Sequence, residues 1–158
     1  MTEYEITEIS DMKVLDGFFE ANGLEFSAEH PVETDRVKCW AVREKSKEFI
    51  GGTALALRQG EYIIDGIAVA KEYRGRDIGH RLLMRAVAET KLRGGKKIYL
   101  VARAPEFFKK HGFKRVERHE APNFFECLTC NQYGVSCHPE VMLLEVKIKP
   151  IFFALNLD

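Results

Sequence analysis

The spacing of apolar and polar residues changes its period along the chain, and each change marks an element. Residues 62–70 (YIIDGIAVA) are apolar at nearly every position and too few for a buried helix, which predicts a strand covered on both faces. After His80 the period becomes helical. Leu82, Leu83, Ala86 and Val87 share one face, while Arg81, Arg85, Glu89 and Arg93 recur every fourth residue on the other, a spacing suited to i,i+4 ion pairs. Gly94 and Gly95 end that helix. Upstream, Tyr4, Ile6 and Ile9 predict a first strand, and Ser10-Asp11 cap a helix carrying Val14, Leu15, Phe18 and Phe19. Residues 22–35 are mixed in character and fit a loop or a short second helix. Residues 37–43 (VKCWAVR) and 49–58 predict a hairpin across the charged turn 44–48, and Gln59-Gly60 turns the chain into the strand 62–70. Downstream, 97–102 (KIYLVA), 113–119 and 141–146 (VMLLEV) read as strands, with a short helix opened by Pro105 and reaching His111. Strand, one or two helices, three antiparallel strands, helix, strand, helix, strands: this order describes an α/β domain with a mixed sheet. Gly66 marks a place for a bulge in the central strand, and Cys39 and Trp40 are expected in the core.

A chain of 158 residues fits one domain, 1–158, with a sizeable core. Its 24 Lys and Arg balance 24 Asp and Glu, so bulk electrostatics supplies no reason for a nucleic-acid or anionic-membrane partner. No apolar run approaches the roughly 20 residues that span a bilayer, and MTEYEITEIS lacks the basic lead and apolar stretch of a signal peptide. A cytoplasmic location is therefore expected. In that setting the four cysteines are expected as reduced thiols or metal ligands rather than a disulfide framework.

Between the central strand and the helix lies Arg74-Gly75-Arg76-Asp77-Ile78-Gly79-His80. Amides at a helix start lack intrahelical partners and carry the positive end of the dipole, so a glycine-bearing turn there suits a phosphate or pyrophosphate. A plain connection with solvated arginines has the same composition. The loop resembles the acetyl-CoA-binding signature of the GNAT N-acetyltransferase superfamily, in which Gln or Arg is followed after two residues by Gly and, one residue later, by Gly or Ala. Arg74 and Gly79 match the first and last positions, and Asp77 stands where the middle glycine is usual. Aspartate tolerates the left-handed region better than most residues, but its carboxylate weakens diphosphate binding unless the arginines offset it. YIIDGIAVAKEYRG ahead of the loop and APEFFKKHGF behind it strengthen the resemblance, which covers residues 49–113. Outside that range it is topological.

The resemblance implies a mostly antiparallel sheet flanked by helices, whose central strand and its neighbour splay to admit a pantetheine arm. It implies acetyl-CoA as cosubstrate, with Ile67, Ala68, Val69, Arg74, Gly75, Arg76, Asp77, Ile78, Gly79, His80 and Phe108 around it. Backbone groups of Ile67 and Val69 would bond the pantetheine and the acetyl carbonyl. In a regular strand Asp65 shares a face with Ile67 and Val69, and it matches an acid that serves as general base when an amine attacks the thioester directly. A base is needed because ordinary amines are protonated at neutral pH. The other role open to Asp65 is to accept a loop N–H. Many family members place a tyrosine, as general acid, at the position of Phe108. Here either the thiolate leaves unassisted or Tyr99, Tyr133 or His111 assists.

FFKKHGFKRVERHEAPNFFECLTC resembles the N-acetylglutamate-synthase-like branch, whose acceptor is the α-amino group of a free amino acid. Arg103 is a candidate to hold such an acceptor's carboxylate. The tail at about 120–140 also carries Cys127, Cys130 and Cys137, followed by His138, a spacing compatible with zinc, with plain packing or with a redox dithiol. Three functions follow. The first is an N-acetyltransferase acting on a primary amine of a small molecule; the second is a non-catalytic acyl-CoA-binding sensor or regulatory module, kept open by Asp77 and the missing tyrosine. The third is a cysteine-rich metal or redox protein. Residues 150–158 (PIFFALNLD) are apolar enough to pack on the core or on a second subunit, so a homodimer is a further expectation.

Overall fold

The computed structural model describes residues 4–23, 34–45, 48–102, 104–117 and 140–146. Its elements are β1 (Glu5–Ile9), α1 (Met12–Ala21), β2 (Asp35–Arg43), β3 (Phe49–Arg58), β4 (Glu61–Val69), a 3-10 turn (Lys71–Tyr73), α2 (Ile78–Leu92), β5 (Lys97–Ala102), α3 (Pro105–Lys109), β6 (Lys114–Arg115) and β7 (Glu140–Glu145). The strands form one sheet in the order β1-β2-β3-β4-β5-β7-β6. Every junction is antiparallel except that of β4 with β5, which gives the α/β domain with a mixed sheet that the pattern predicts and the mostly antiparallel arrangement that the resemblance implies.

Opposite faces of this sheet carry α1 and α2. Strand residues alternate sides, and the neighbours Cys39 and Trp40, like Ala54 and Leu55, part into different clusters. Cys39 and Ala54 pack with Leu15 and Phe19 of α1. Trp40 and Leu55 pack with Ile78, Leu82, Leu83 and Ala86 of α2. Leu82 and Leu83 are fully buried, and each such side chain contributes about 1.5–3 kcal/mol by leaving water. Asp11 caps α1 by accepting from the amides of Lys13 and Val14 at 3.2 and 3.3 Å. Close seating of α1 depends on Gly52, where a Cβ would meet Leu15 Cδ1 at 2.5 Å.

Four details differ from the sequence pattern. The helix begins at Ile78, ahead of the point after His80 where the apolar period becomes helical. The strand expected over 113–119 is only Lys114–Arg115, with residues 118 and 119 outside the described segments. Glu89, placed by its spacing on the face opposite the apolar one, is buried because Lys38 of β2 reaches it at 2.8 Å, while its pairing with Arg93 is retained at 3.6 Å. The fourth is the bulge. Register between β3 and β4 passes from Ala54↔Gly66 to Leu55↔Ile64, so Asp65 is the extra residue, one position before Gly66.

That bulge overturns the expectation that Asp65 shares a face with Ile67 and Val69. Ile67 and Val69 pack against the α2 cluster. Asp65 bonds Arg36, which in turn bonds Asp16 of α1, and a Cβ on Gly66 would strike Phe19 of α1. Asp65 and Gly66 therefore both look toward α1.

Candidate active site

The site begins where β4 leaves β5. The two strands pair at Ile63↔Tyr99 alone, although β4 continues to Val69. Ile63 and Ile64 are buried, whereas Ile67, Ala68 and Val69 are half-buried, as apolar residues lining an open gap should be. The Ala70 amide donates to Ile50 O at 2.8 Å, and Gly66 O accepts from Thr53 Oγ1 at 2.8 Å. Alternation of the antiparallel ladder thus turns Gly66, Ala68 and Ala70 toward β3 and directs the amides of Ile67 and Val69 into the gap.

The start of α2 lies next to this gap. Gly75 takes φ +81°, and Asp77 sits in the left-handed region at φ 68°, ψ 7°, as the N-cap residue, without a side-chain cap bond. Aspartate in place of the middle glycine therefore preserves the turn. The first ladder bond of the helix runs from Arg81 N to Asp77 O at 3.1 Å, so the amides of Ile78, Gly79 and His80 precede the ladder. Ile78 is fully buried among core residues, which leaves its backbone as its contribution to any ligand. Gly79 supplies a bare Cα where β4, α2 and α3 converge: a Cβ there would lie 3.3 Å from Phe107 Cζ and 3.8 Å from Val69 Cγ2.

Arginines flank the turn in fixed positions. Arg74 Nε donates to Val69 O at 3.0 Å. Arg76 donates to the Tyr4 hydroxyl at 2.8 Å and stacks over Tyr73, 5.1 Å from the ring centroid. The Tyr73 hydroxyl donates to the Glu44 carboxylate, and that bond, with burial second, pushes it up to about 12. Behind the turn, His80 Nδ1 and His111 Nδ1 stand 3.1 Å apart with their rings stacked at 4.4 Å, and Phe107 meets the His111 ring edge-on at 4.9 Å. Burial, aided by the charges of His80 and Lys110, holds His111 below the usual histidine range, and Asp77 opposes the shift. Phe108 is buried against Phe107 and Phe113 in the core and offers no hydroxyl.

Asp65 occupies the α1 side of the gap with its side chain 8% exposed. Its Oδ1 accepts from Arg58 Nη2 at 2.8 Å and its Oδ2 from Arg36 Nε at 3.1 Å. Arg36 Nη2 continues to Asp16 at 2.6 Å, and Arg58 Nε donates to Thr34 Oγ1 at 2.6 Å. Burial pushes the Asp65 carboxyl above the usual carboxylate range while the guanidiniums of Arg58 and Arg36 pull it down. Burial lowers Arg36, but its bonds and charge contacts with Asp16 and Asp65 leave it above its ordinary value. Among the described residues the partners of Asp65 are two guanidiniums. Arg36, Arg58 and Asp16 were not visible as site residues, since they lie on β2, β3 and α1 and meet only through the register. The one available signal was an arginine ending the apolar run of β3.

Tyr99 is buried with Ile63 and Val141. Arg103, Cys127, Cys130, Tyr133, Cys137, His138 and residues 150–158 lie outside the described residues. Among the described residues no group of three or more His, Cys, Asp or Glu is placed to hold a metal ion, and no helix is long and apolar enough to cross a membrane. Cys39 is buried, and burial pushes its thiol up.

Residues 35–115, from the start of β2 to the end of β6, match a family model described as an acetyltransferase (GNAT) domain. Among curated proteins no sequence matches. The fold is similar to that of a GNAT-family acetyltransferase from Staphylococcus aureus, at 18% identity and TM-score 0.68, with 92% of this chain and 100% of that one covered. It is similar to the ribosomal-protein-S18-alanine N-acetyltransferase of Escherichia coli at 16% identity and TM-score 0.64, with 99% of each chain covered. N-acetylglutamate synthase from Neisseria gonorrhoeae, in complex with coenzyme A and N-acetyl-glutamate, aligns at 15% identity and TM-score 0.67 over 94% of this chain and 36% of its own. At such identities these likenesses concern the fold, whereas the family match spans the strand gap, the basic turn and α2: the chain belongs to the GNAT family of acetyltransferases.

Proposed function

We propose that the protein is an acetyl-CoA-dependent N-acetyltransferase that modifies the primary amine of a small molecule, with a free amino acid as the favoured acceptor. The observation that carries this reading is the departure of β4 from β5 directly beside the start of α2. In this reading the amides of Ile78, Gly79 and His80, with Arg74 and Arg76 nearby, hold the coenzyme's diphosphate. The pantetheine arm runs along β4 against the amides of Ile67 and Val69, which brings the thioester into the gap. The acceptor enters from the α1 side, where Asp65 takes its proton. The freed amine attacks the thioester carbonyl, the N–H groups of β4 stabilise the oxyanion, and the tetrahedral adduct collapses as the C–S bond breaks, the departing thiolate taking up the second proton that the nitrogen sheds to become the amide. Phe108 has no hydroxyl with which to protonate the thiolate. The amino-acid preference draws on the FFKKHGF tail and on the fold shared with the glutamate-acetylating synthase.

Thermal unfolding with and without acetyl-CoA tests the first half, since a ligand at 100 times its Kd adds about 2.7 kcal/mol. Thiol release across amino acids, polyamines and aminoglycosides tests the second. Stabilisation without thiol release supports instead a non-catalytic acyl-CoA-binding module, which the absent hydroxyl at Phe108 and the carboxylate of Asp77 favour. No stabilisation by any acyl-CoA overturns both.

A further inference from the structure

We propose that His111 completes the coenzyme site through His80: the pair takes up one proton as the diphosphate docks, so coenzyme affinity rises as pH falls through the neutral range. This rests on the start of α2 being the diphosphate site.

The contact itself limits the protonation states. Two Nδ1 atoms 3.1 Å apart form a hydrogen bond only if one carries hydrogen and the other presents a lone pair. In the neutral pair, the donor ring has a free Nε2 and the acceptor ring carries its hydrogen on Nε2. One added proton goes to that free Nε2 and leaves the Nδ1–Nδ1 bond intact. A second would set two N–H groups against each other and break it. The stacked pair therefore holds zero or one positive charge.

Its position decides which. His80 is the third residue of α2, on the turn whose amides precede the ladder, so an anion bound at those amides lies beside the pair. Among the described residues, the charged groups facing His111 are His80 and Asp77 from α2 and Lys110 from the end of α3, with Phe107 of α3 covering its ring edge. The net effect of burial and these neighbours lowers the proton affinity of His111. A diphosphate at the three amides reverses that balance and makes the first extra proton favourable. The proton comes from the buffer.

Calorimetric titration of acetyl-CoA near pH 6.5 in buffers of different ionisation enthalpy reads the uptake directly. The expected result is proton uptake in the native chain and at least half of it lost in His111→Phe, which keeps a stacked ring. The association constant of the native chain should change by up to about tenfold per pH unit. Equal uptake in both chains overturns the inference. Should His111→Phe fail to fold, ring-proton NMR of the native chain serves: a histidine midpoint that rises on adding acetyl-CoA supports the inference, and unmoved midpoints overturn it. Absence of any binding heat would overturn the coenzyme reading itself, whereas binding without differential uptake removes only the role of His111.

Discussion

The ring of Phe19 lies on the bare Cα of Gly66 so closely that a Cβ there would stand 2.5 Å from Cε2. Gly66 directly follows the bulged Asp65, so the contact seats α1 at the point where β4 bends away from β5. A methyl group forces the ring or the strand to move, and overpacking of this kind costs about 1–3 kcal/mol. Gly66→Ala should lower the urea midpoint accordingly. Phe19→Leu in the same chain should recover part of the loss. Strict additivity of the two substitutions would show that the contact does not position α1.

Asp77 combines an unfavourable backbone with an unfavourable charge. Its left-handed conformation costs an L-residue on the order of 1 kcal/mol, and a carboxylate beside a bound diphosphate adds repulsion on the order of 1 kcal/mol per charge even at the dielectric of water. Asp77→Gly should therefore stabilise the chain slightly and tighten acetyl-CoA binding roughly fivefold. Asp77→Asn should tighten binding without the gain in stability. Titration calorimetry and thermal melts on the two variants separate charge from backbone, and weaker binding by Asp77→Gly would contradict both effects.

Much of the fold was legible because its period is regular. The apolar block of β4, the helical stripe of α2 and the capping Asp11 each state their structure locally, and so does Asp77, since few residues besides glycine tolerate that turn. What escaped depends on register. Asp65 meets Arg36 and Arg58 only because the bulge turns it toward α1, and an extra residue in one strand leaves no mark on the period of a short run. Glu89 escaped similarly: a four-residue spacing describes one helix, whereas Lys38, 51 positions away, is what draws the carboxylate inward. The pairing of His80 with His111 required α3 to be folded back on α2, which neither motif reveals.

Asp65 holds two arginines and, in the proposed mechanism, also takes the acceptor's proton, and two substitutions separate these roles. Asp65→Ala leaves two largely buried guanidiniums without their carboxylate, a change that typically costs about 3–5 kcal/mol, so the chain should melt well below the native one. Asp65→Asn keeps the shape and an acceptor oxygen for one arginine but cannot take a proton. Its kcat/KM should be depressed most at low pH and approach the native value at high pH, where acceptor amines deprotonate unaided. An equal loss across the pH range would mean that Asp65 acts through Arg36 and Arg58 alone.

The burial of His111 beside His80 should make the unliganded fold acid-sensitive. Burial, with the charges of His80 and Lys110, lowers the proton affinity of His111 in the folded chain. As pH drops below about 6.5, the ordinary histidine value, the unfolded chain therefore binds this proton first. The contribution to stability is complete above that pH and is lost as pH falls through the lower folded-state midpoint. Melting temperature should decline between pH 7.5 and 5.5 in the native chain and decline less in His111→Phe, which has no proton to gain. Acetyl-CoA at saturation should shrink the native decline, because an anion at the start of α2 favours the charged pair. An acid decline as steep in His111→Phe as in the native chain would place the sensitivity elsewhere.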